Sequence, residues 1–270
     1  MENRRIEVGI TSTGKYENLG ILLWSLRNQT MSDWDLTIVD DSLEGKDMRL
    51  IPGISDVLKL INSEGHNWRV LFGPKKGWHH AQQIILNNSR NLLTMTLDED
   101  QALESNVLLE LSRPFEDDGV GATGSLFYLA GDKFRSLLPW DWEKREDYHG
   151  RITFNEKGVG YGSQLQLSTH QTVGPKEADH LMGGCIMYRT DLGRQWGFDL
   201  DFNYTAFCSD DLFSYKFYSS GYKVLVVPAA VVWHFPTNKY GSMEKGTEEF
   251  LKLRDENRKR FEEIIRSMAT

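Results

Sequence analysis

An α/β fold, with a mostly parallel central sheet flanked by helices, is predicted for this 270-residue chain by three observations. Apolar runs of strand length alternate with segments of helical period over residues 6–100, an order that implies right-handed crossovers and parallel pairing. Those runs end in loops bearing hydroxyl and carboxylate groups, and open α/β sheets bind their ligands at that edge. A composition of 40% hydrophobic and 26% charged residues supplies a core that needs no disulfide.

Ile6 to Ile10 reads as a buried strand and Thr11-Ser12-Thr13-Gly14 as the loop leaving it. Leu19, Leu22, Leu23 and Leu26 recur at helical spacing, so a helix follows. Trp34 to Val39 is the second strand, ending in Asp40-Asp41-Ser42, and Trp68 to Phe72 the third, followed by Gly73-Pro74-Lys75-Lys76-Gly77. Ala81 to Leu92 reads as helix, and Leu93 to Leu97 as a fourth strand ending in Asp98-Glu99-Asp100. From about Ser125 to His180 periodicity is weak, with Trp140, Trp142, Tyr148 and Tyr161 set among glycines and charges. This stretch is expected to be a partly irregular insertion over the active face, or else a peripheral loop packed on its own aromatics. A strand (Cys185 to Tyr188) and two helices (Asp191 to Trp196 and Asp210 to Ser219) follow, with Ser209 as the second helix's N-cap. Val224 to Val227 and Ala230 to Trp233 are strand-like. A helical run from about Met243 to Met268 carries Phe250, Leu253, Phe261, Ile264, Ile265 and Met268 on the side expected to pack against the domain.

The formal charge of −8, from 31 basic and 39 acidic residues, argues against a protein that grips nucleic acid by general phosphate neutralisation. An acidic chain that binds an anionic nucleotide is expected to use a divalent cation as intermediary. The two cysteines, Cys185 and Cys208, have neither metal-ligand nor redox spacing and suit buried thiols in a reducing compartment. The apolar run after Arg5 is too short for a signal peptide, and no stretch is long enough for a membrane span. A soluble, cytoplasmic protein is the expectation.

Three constellations carry candidate chemistry. Asp98 and Asp100, one residue apart at a strand end, can face one cleft and offer oxygen to a hard divalent ion, although an acidic triplet is also an ordinary solvated turn. Asp210 and Asp211 open a helix, where negative charge is favoured whatever its use, and a carboxylate held there can take a proton from an attacking hydroxyl. His234 closes the apolar run Val231-Val232-Trp233; a lone histidine at a strand end is often only structural.

Their order along the chain adds what no single motif carries. Ile10-Thr11-Ser12-Thr13 precedes Ser25-Leu26-Arg27-Asn28-Gln29-Thr30, which runs into Trp34-Asp35-Leu36-Thr37-Ile38-Val39-Asp40-Asp41-Ser42. Gly77, Ala81 and Gln83 come next, then Leu97-Asp98-Glu99-Asp100. Gly183-Gly184 leads through Arg189 to Gly197-Phe198-Asp199, Ser209-Asp210-Asp211, Gly221-Tyr222 and Val227-Pro228 through to His234. From Ile6 to about Pro236 the chain thereby resembles the family 2-like glycosyltransferases of the Rossmann-like GT-A fold. It departs from their pattern at Gln83, where Asn is usual, at Asp210, where Glu is common, and at Leu200, where Glu is frequent.

The resemblance implies a catalytic domain over 1–240, with the 125–180 insertion on the acceptor side, and a helical extension over 241–270. It implies a nucleotide-diphosphate sugar donor, with a UDP-sugar favoured, bound by Thr11, Thr13, Asp40, Asp41, Lys76, Gly77, Asp98 and Glu99. Asp100 and His234 would hold Mn²⁺ or Mg²⁺. Asp211, with Asp210 beside it, would be the base that deprotonates an acceptor hydroxyl, giving inversion. The acceptor stays open: a glycan, a lipid-linked glycan, a protein or a modified nucleobase, with the acidic balance counting against nucleic acid. Trp140, Trp142 and Tyr161 are candidates for stacking on it, and Lys75, Lys76, His79 and His80 for steering phosphate. Two other classes remain: a nucleotidyltransferase of related fold, which Thr11-Ser12-Thr13-Gly14-Lys15 fits poorly, and a non-catalytic nucleotide-sugar-binding module.

Overall fold

The computed structural model describes residues 6–42, 46–129, 152–155, 158–161, 174–235, 239–240 and 243–268. The chain opens with β1 (Ile6–Ser12), α1 (Tyr16–Arg27), β2 (Trp34–Asp40), α2 (Pro52–Ser63), β3 (Trp68–Phe72), α3 (Trp78–Asn88) and β4 (Leu93–Asp98). β1 pairs in parallel with both β2 and β4, and β2 with β3. Flanked on both edges and covered on both faces, β1 is buried at all seven positions. α1 buries its four leucines, and α2 buries Ile54, Val57, Leu58 and Ile61 at similar spacing, although α2 lies beyond the predicted elements. α3 starts directly after the positive-φ Gly77 and ends where Ser89 turns extended, so both its ends fall ahead of the predicted Ala81 to Leu92.

The rest comprises β5 (Gln101–Leu103), α4 (Val107–Ser112), β6 (Val120–Leu129), the hairpin of β7 (Ile152–Asn155) and β8 (Gly158–Tyr161), β9 (Lys176–Ala178), β10 (Cys185–Arg189), α5 (Thr190–Trp196), α6 (Ser209–Ser219), β11 (Lys223–His234), the paired β12 (Lys239–Tyr240) and β13 (Met243–Glu244), and α7 (Glu248–Met268). The main sheet runs β3-β2-β1-β4-β10-β6-β11-β5, with β9 also on β11. β10 is antiparallel to its neighbours β4 and β6. Cys185 and Met187 of β10 join an apolar cluster with α1, α2 and α4, whereas Ile186 and Tyr188 join another with Phe213 and Phe217 of α6. Strand alternation thus gives each face of the sheet its own core.

Several predicted boundaries shift for identifiable reasons. Residues 125–129 belong to β6, a strand between β10 and β11, and residues 176–178 form β9, so both ends of the supposed 125–180 insertion are part of the sheet. β6 escapes a periodicity reading because Gly121, Ala122, Thr123, Gly124 and Ser125 are small and half polar, yet all are buried. Trp140, Trp142 and Tyr148 lie outside the described residues, as does the side chain of Tyr161. The two predicted strands before His234 are one strand whose register against β6 breaks between Val227 and Val231, around Pro228, which has no N–H for the ladder. Cys208, in left-handed conformation, is the N-cap of α6; Ser209 is the first helical residue, and its buried Oγ makes no hydrogen bond to a described residue. α7 starts at Glu248 rather than near Met243 because Thr247 Oγ1 accepts the Phe250 N–H as a cap. Its Phe261 and Ile265 pack with Leu212 and Tyr215 of α6, while Met268 is exposed. Among the described residues no helix is long and apolar enough to cross a membrane.

Candidate active site

The chain turns sharply after β4: Glu99 and Asp100 form the bend, and β5 leaves in the opposite sense to pair with the end of β11. That pairing sets His234 opposite Gln101, and the Phe235 N–H donates to the Asp100 carbonyl at 2.8 Å. β5 is itself pinned to α1 and its exit. Ser25 Oγ accepts the Leu103 N–H at 3.0 Å, Gln29 Oε1 accepts the Leu108 N–H at 3.1 Å, and Gln29 Nε2 donates to the Glu104 carbonyl at 2.8 Å. The Ser25-to-Thr30 motif therefore works structurally, holding the strand that brings His234 to the acids.

The outcome is a cleft of about 140 Å³ at the C-terminal edge of β1 and β4. Thr11, Thr13, Gly77, Asp98, Glu99, Asp100 and His234 all border it. Lys15, Trp78, Tyr204 and Lys245 border it too, beyond the predicted set. Asp40, Asp41, Lys76, Asp210 and Asp211 stand outside its wall.

The three acids of the bend differ. Asp100 sits between Lys15 and His234: Lys15 Nζ is 3.0 Å from Oδ2 and His234 Nε2 is 3.4 Å from Oδ1. Burial alone would raise its pKa, but the hydrogen bond from His234 and the Lys15 charge outweigh it and hold the carboxyl at about 2. Asp98 is half-buried and takes the Trp78 indole N–H on Oδ1 at 2.8 Å. Burial, reinforced by the negative charge of Asp100, pushes it up to about 6. Glu99 turns the other way and clamps the loop after β1. Its Oε1 accepts the Thr13 N–H and hydroxyl at 2.9 and 2.5 Å, and its Oε2 accepts the Ser12 hydroxyl and Lys15 N–H at 2.7 and 3.1 Å. Thr13 and Glu99 are thus committed first to each other, and Thr11 Oγ1 accepts from Gln82 at 3.0 Å.

Asp41 performs the same service for the turn before α3, accepting the Lys75 and Gly77 N–H groups at 2.5 and 3.2 Å. Burial raises its pKa against those two bonds. Gly77 has φ 103°, and a Cβ there would lie 2.6 Å from the Tyr204 carbonyl oxygen, so a side chain fails on both counts. Asp40 Oδ1 accepts the Ser42 N–H at 3.0 Å, and Lys76 is exposed. His79 is fully buried and burial presses its pKa down to about 4, so it is neutral and does not face a phosphate. Gln83, in place of the usual Asn, accepts the Phe198 N–H at 2.8 Å and fastens α3 to the Gly197-Phe198-Asp199 segment.

The second acid pair is joined to the acid bend through one turn. A Cβ on Gly184 would lie 2.3 Å from Gln101 Nε2 and 3.2 Å from Asp98 Oδ2, and one on Gly183 would lie 2.4 Å from the Asp210 Cβ. Gly183-Gly184 is therefore pressed between the acid bend and the first turn of α6. Asp210 Oδ2 accepts the Gly183 N–H at 2.6 Å, and burial with the neighbouring Asp211 charge pushes its carboxyl from the ordinary 3.8 up to about 8. Asp211 Oδ1 instead accepts the Nδ1–H of the buried His180 at 2.7 Å, and its Oδ2 takes no hydrogen bond from a described residue. His180 lies in the stretch read as insertion, where no periodicity singles it out; Lys15 and Trp78 sit beside motif residues that do draw notice.

The raised Asp210 carboxyl has a thermodynamic consequence. The folded chain keeps a proton there that the unfolded chain loses, so stability falls as pH rises from about 4 to about 8. Asp210→Asn retains an oxygen for the Gly183 N–H and should abolish roughly 1–3 kcal/mol of that fall. Denaturant midpoints of both proteins at about pH 5 and about pH 8.5 check it; an equal fall in the variant would rule the assignment out.

Among the described residues no group of three or more His, Cys, Asp and Glu side chains cages a cation. Asp100 Oδ1 and His234 Nε2, 3.4 Å apart, do form a two-donor edge. An octahedral ion with bonds of about 2.1 Å sets adjacent donors about 3 Å apart, and Mg²⁺-type ions draw their remaining ligands from water and substrate phosphates. The residues present fit an ion of that kind.

The mostly parallel α/β sheet with helices on both faces is the architecture of the GT-A class of glycosyltransferase folds. The chain belongs to glycosyl transferase family 2, whose model matches residues 7–195. No curated protein matches it. Among solved structures, GalNAc-T7 with UDP, GalNAc and Mn²⁺ is similar over 96% of this chain and 48% of its own, with a TM-score of 0.67 and 17% identity. The mannosyltransferase PcManGT of Pyrobaculum calidifontis, with GDP-Man and Mn²⁺, is similar over 87% and 58%, with a TM-score of 0.61 and 14% identity. S. aureus TarS 1–349 in complex with UDP is similar over 87% and 61%, with a TM-score of 0.56 and 14% identity. At such identities the likeness is one of fold, and the chain spans about half to three fifths of these proteins.

Proposed function

We propose that the chain transfers a sugar from a nucleotide-diphosphate donor, with a UDP-sugar the first candidate, to an acceptor hydroxyl, with divalent-ion dependence and inversion. The carrying observation is the cleft in which Asp98, Asp100, His234 and Lys15 meet at the ligand-binding edge of the sheet. Solved neighbours carrying UDP or GDP-Man, two of them with Mn²⁺, support the donor class and the ion.

In this reading Asp100 and His234 hold the ion. When bound, it supplies positive charge to the diphosphate and offsets the charge that builds as the glycosidic bond breaks. Asp98, fixed by the Trp78 indole, accepts a hydrogen bond from a donor hydroxyl. Glu99 and Asp41 act at one remove, keeping the two loops that flank the donor in place. Asp210 holds the Gly183-Gly184 turn. Asp211 is the base: His180 anchors Oδ1, and Oδ2 takes the acceptor's proton. The acceptor oxygen then bonds to the anomeric carbon as the bond from that carbon to the terminal phosphate oxygen breaks, and the nucleoside diphosphate leaves. A single displacement of this kind inverts the anomeric centre.

A panel of nucleotide sugars, each with and without Mn²⁺ and scored for the released nucleotide, tests the reading. Nucleoside diphosphate released only with the ion is expected. Pyrophosphate as the product would make the chain a nucleotidyltransferase, and binding without release would make it a binding module.

A further inference from the structure

Lys15 is a cation of the cleft to which the transfer reaction above gives no role. It sits at the junction between the loop after β1 and α1, and its ammonium lies 3.0 Å from Asp100 Oδ2, on the opposite side of that carboxylate from His234. Its backbone is fixed, since Glu99 holds the Lys15 N–H together with Ser12 and Thr13 of the same loop. Its side chain has more room: 24% of it is exposed, against 10% for Asp100. A pinned root with a flexible four-carbon stem lets the charge move while staying inside the site.

Charge balance supplies the reason for it to move. Without an ion, Lys15 is what neutralises a carboxylate enclosed next to Asp98, and the pair is stable. A dication on the Asp100–His234 edge would stand a few ångströms from the ammonium, and two like charges at that range in a partly dry cleft repel strongly. The ion would now neutralise Asp100, leaving the ammonium without need of it, and the diphosphate would be the strongest anion in reach.

We propose that Lys15 is an internal counter-cation that gives up Asp100 to the divalent ion and turns onto the donor's diphosphate. The inference rests on the nucleotide-diphosphate reading above and deepens it. It makes two effects of removing the charge opposite in sign. Lys15→Met keeps the stem, so MnCl₂ alone should bind the variant on the order of ten-fold more tightly, because no ammonium has to be displaced. Inorganic pyrophosphate, and UDP, in saturating Mn²⁺ should bind on the order of ten-fold more weakly, because the clamp is gone. Lys15→Arg should restore the second affinity.

Calorimetry with MnCl₂, then with pyrophosphate and UDP in saturating Mn²⁺, on the parent and both variants decides it, and needs no turnover. Local damage in Lys15→Met would weaken both affinities together, and a permanent structural ion pair would leave both unchanged or weaken only the first. Either result, with the parent binding both probes, overturns the handover while leaving the transferase reading standing. A parent that binds neither Mn²⁺ nor pyrophosphate would sink that reading, and the handover with it.

Discussion

Asp211→Asn should cut sugar transfer by roughly 10²–10⁴-fold, the usual worth of a positioned general base, while leaving donor affinity unchanged by calorimetry. The asymmetry follows from placement. Asp211 lies outside the wall of the cleft that would take the donor, so the donor does not report its loss. Its own partner, His180 Nδ1–H, still finds an oxygen on the asparagine amide, so the first turn of α6 keeps its shape. What disappears is the basic Oδ2. Asp210 cannot substitute, because burial holds its proton up to about pH 8 and its Oδ2 is committed to Gly183. Retained transfer in the variant would deny Asp211 its role and, with it, the case for inversion.

Asp100→Ala should lower ion-dependent donor cleavage by roughly 10²–10³-fold or more, comparable to losing one preorganised charge-stabilising group in an active site. The fold should survive. The two side chains left behind, Lys15 and His234, are each 24% exposed, so water can solvate them, and partly exposed ion pairs contribute about 1 kcal/mol or less. A thermal midpoint close to the parent's together with the loss of Mn²⁺ response is the expected pair of results. Undiminished turnover would remove the ion from the acid bend. Asp100→Asn, which keeps the shape and loses the charge, separates charge from packing.

Much of the architecture is legible in local pattern. The buried β1 and its parallel partners announce themselves as apolar runs, and α1 by its leucines, because a strand covered on both faces and a helix covered on one have fixed periods. Where the period is muted, local pattern carries no signal. β6 is built of small residues, and Gly183-Gly184 offers only a pair of glycines to say that two acid groups press on it. α7 starts after the cap Thr247, at Glu248 rather than near Met243, since a cap is a single hydrogen bond and not a run.

The order of the motifs determined the family, the sheet and which acids stand at its ligand edge. Tertiary structure decided what each acid does there: Asp100 meets His234 because β5 pairs with β11, Glu99 is spent on the loop after β1, and Asp211 is anchored by His180 from a stretch without a pattern. Period and propensity act over a few neighbouring residues, whereas the direction of a side chain at a strand end depends on which distant strand pairs beside it.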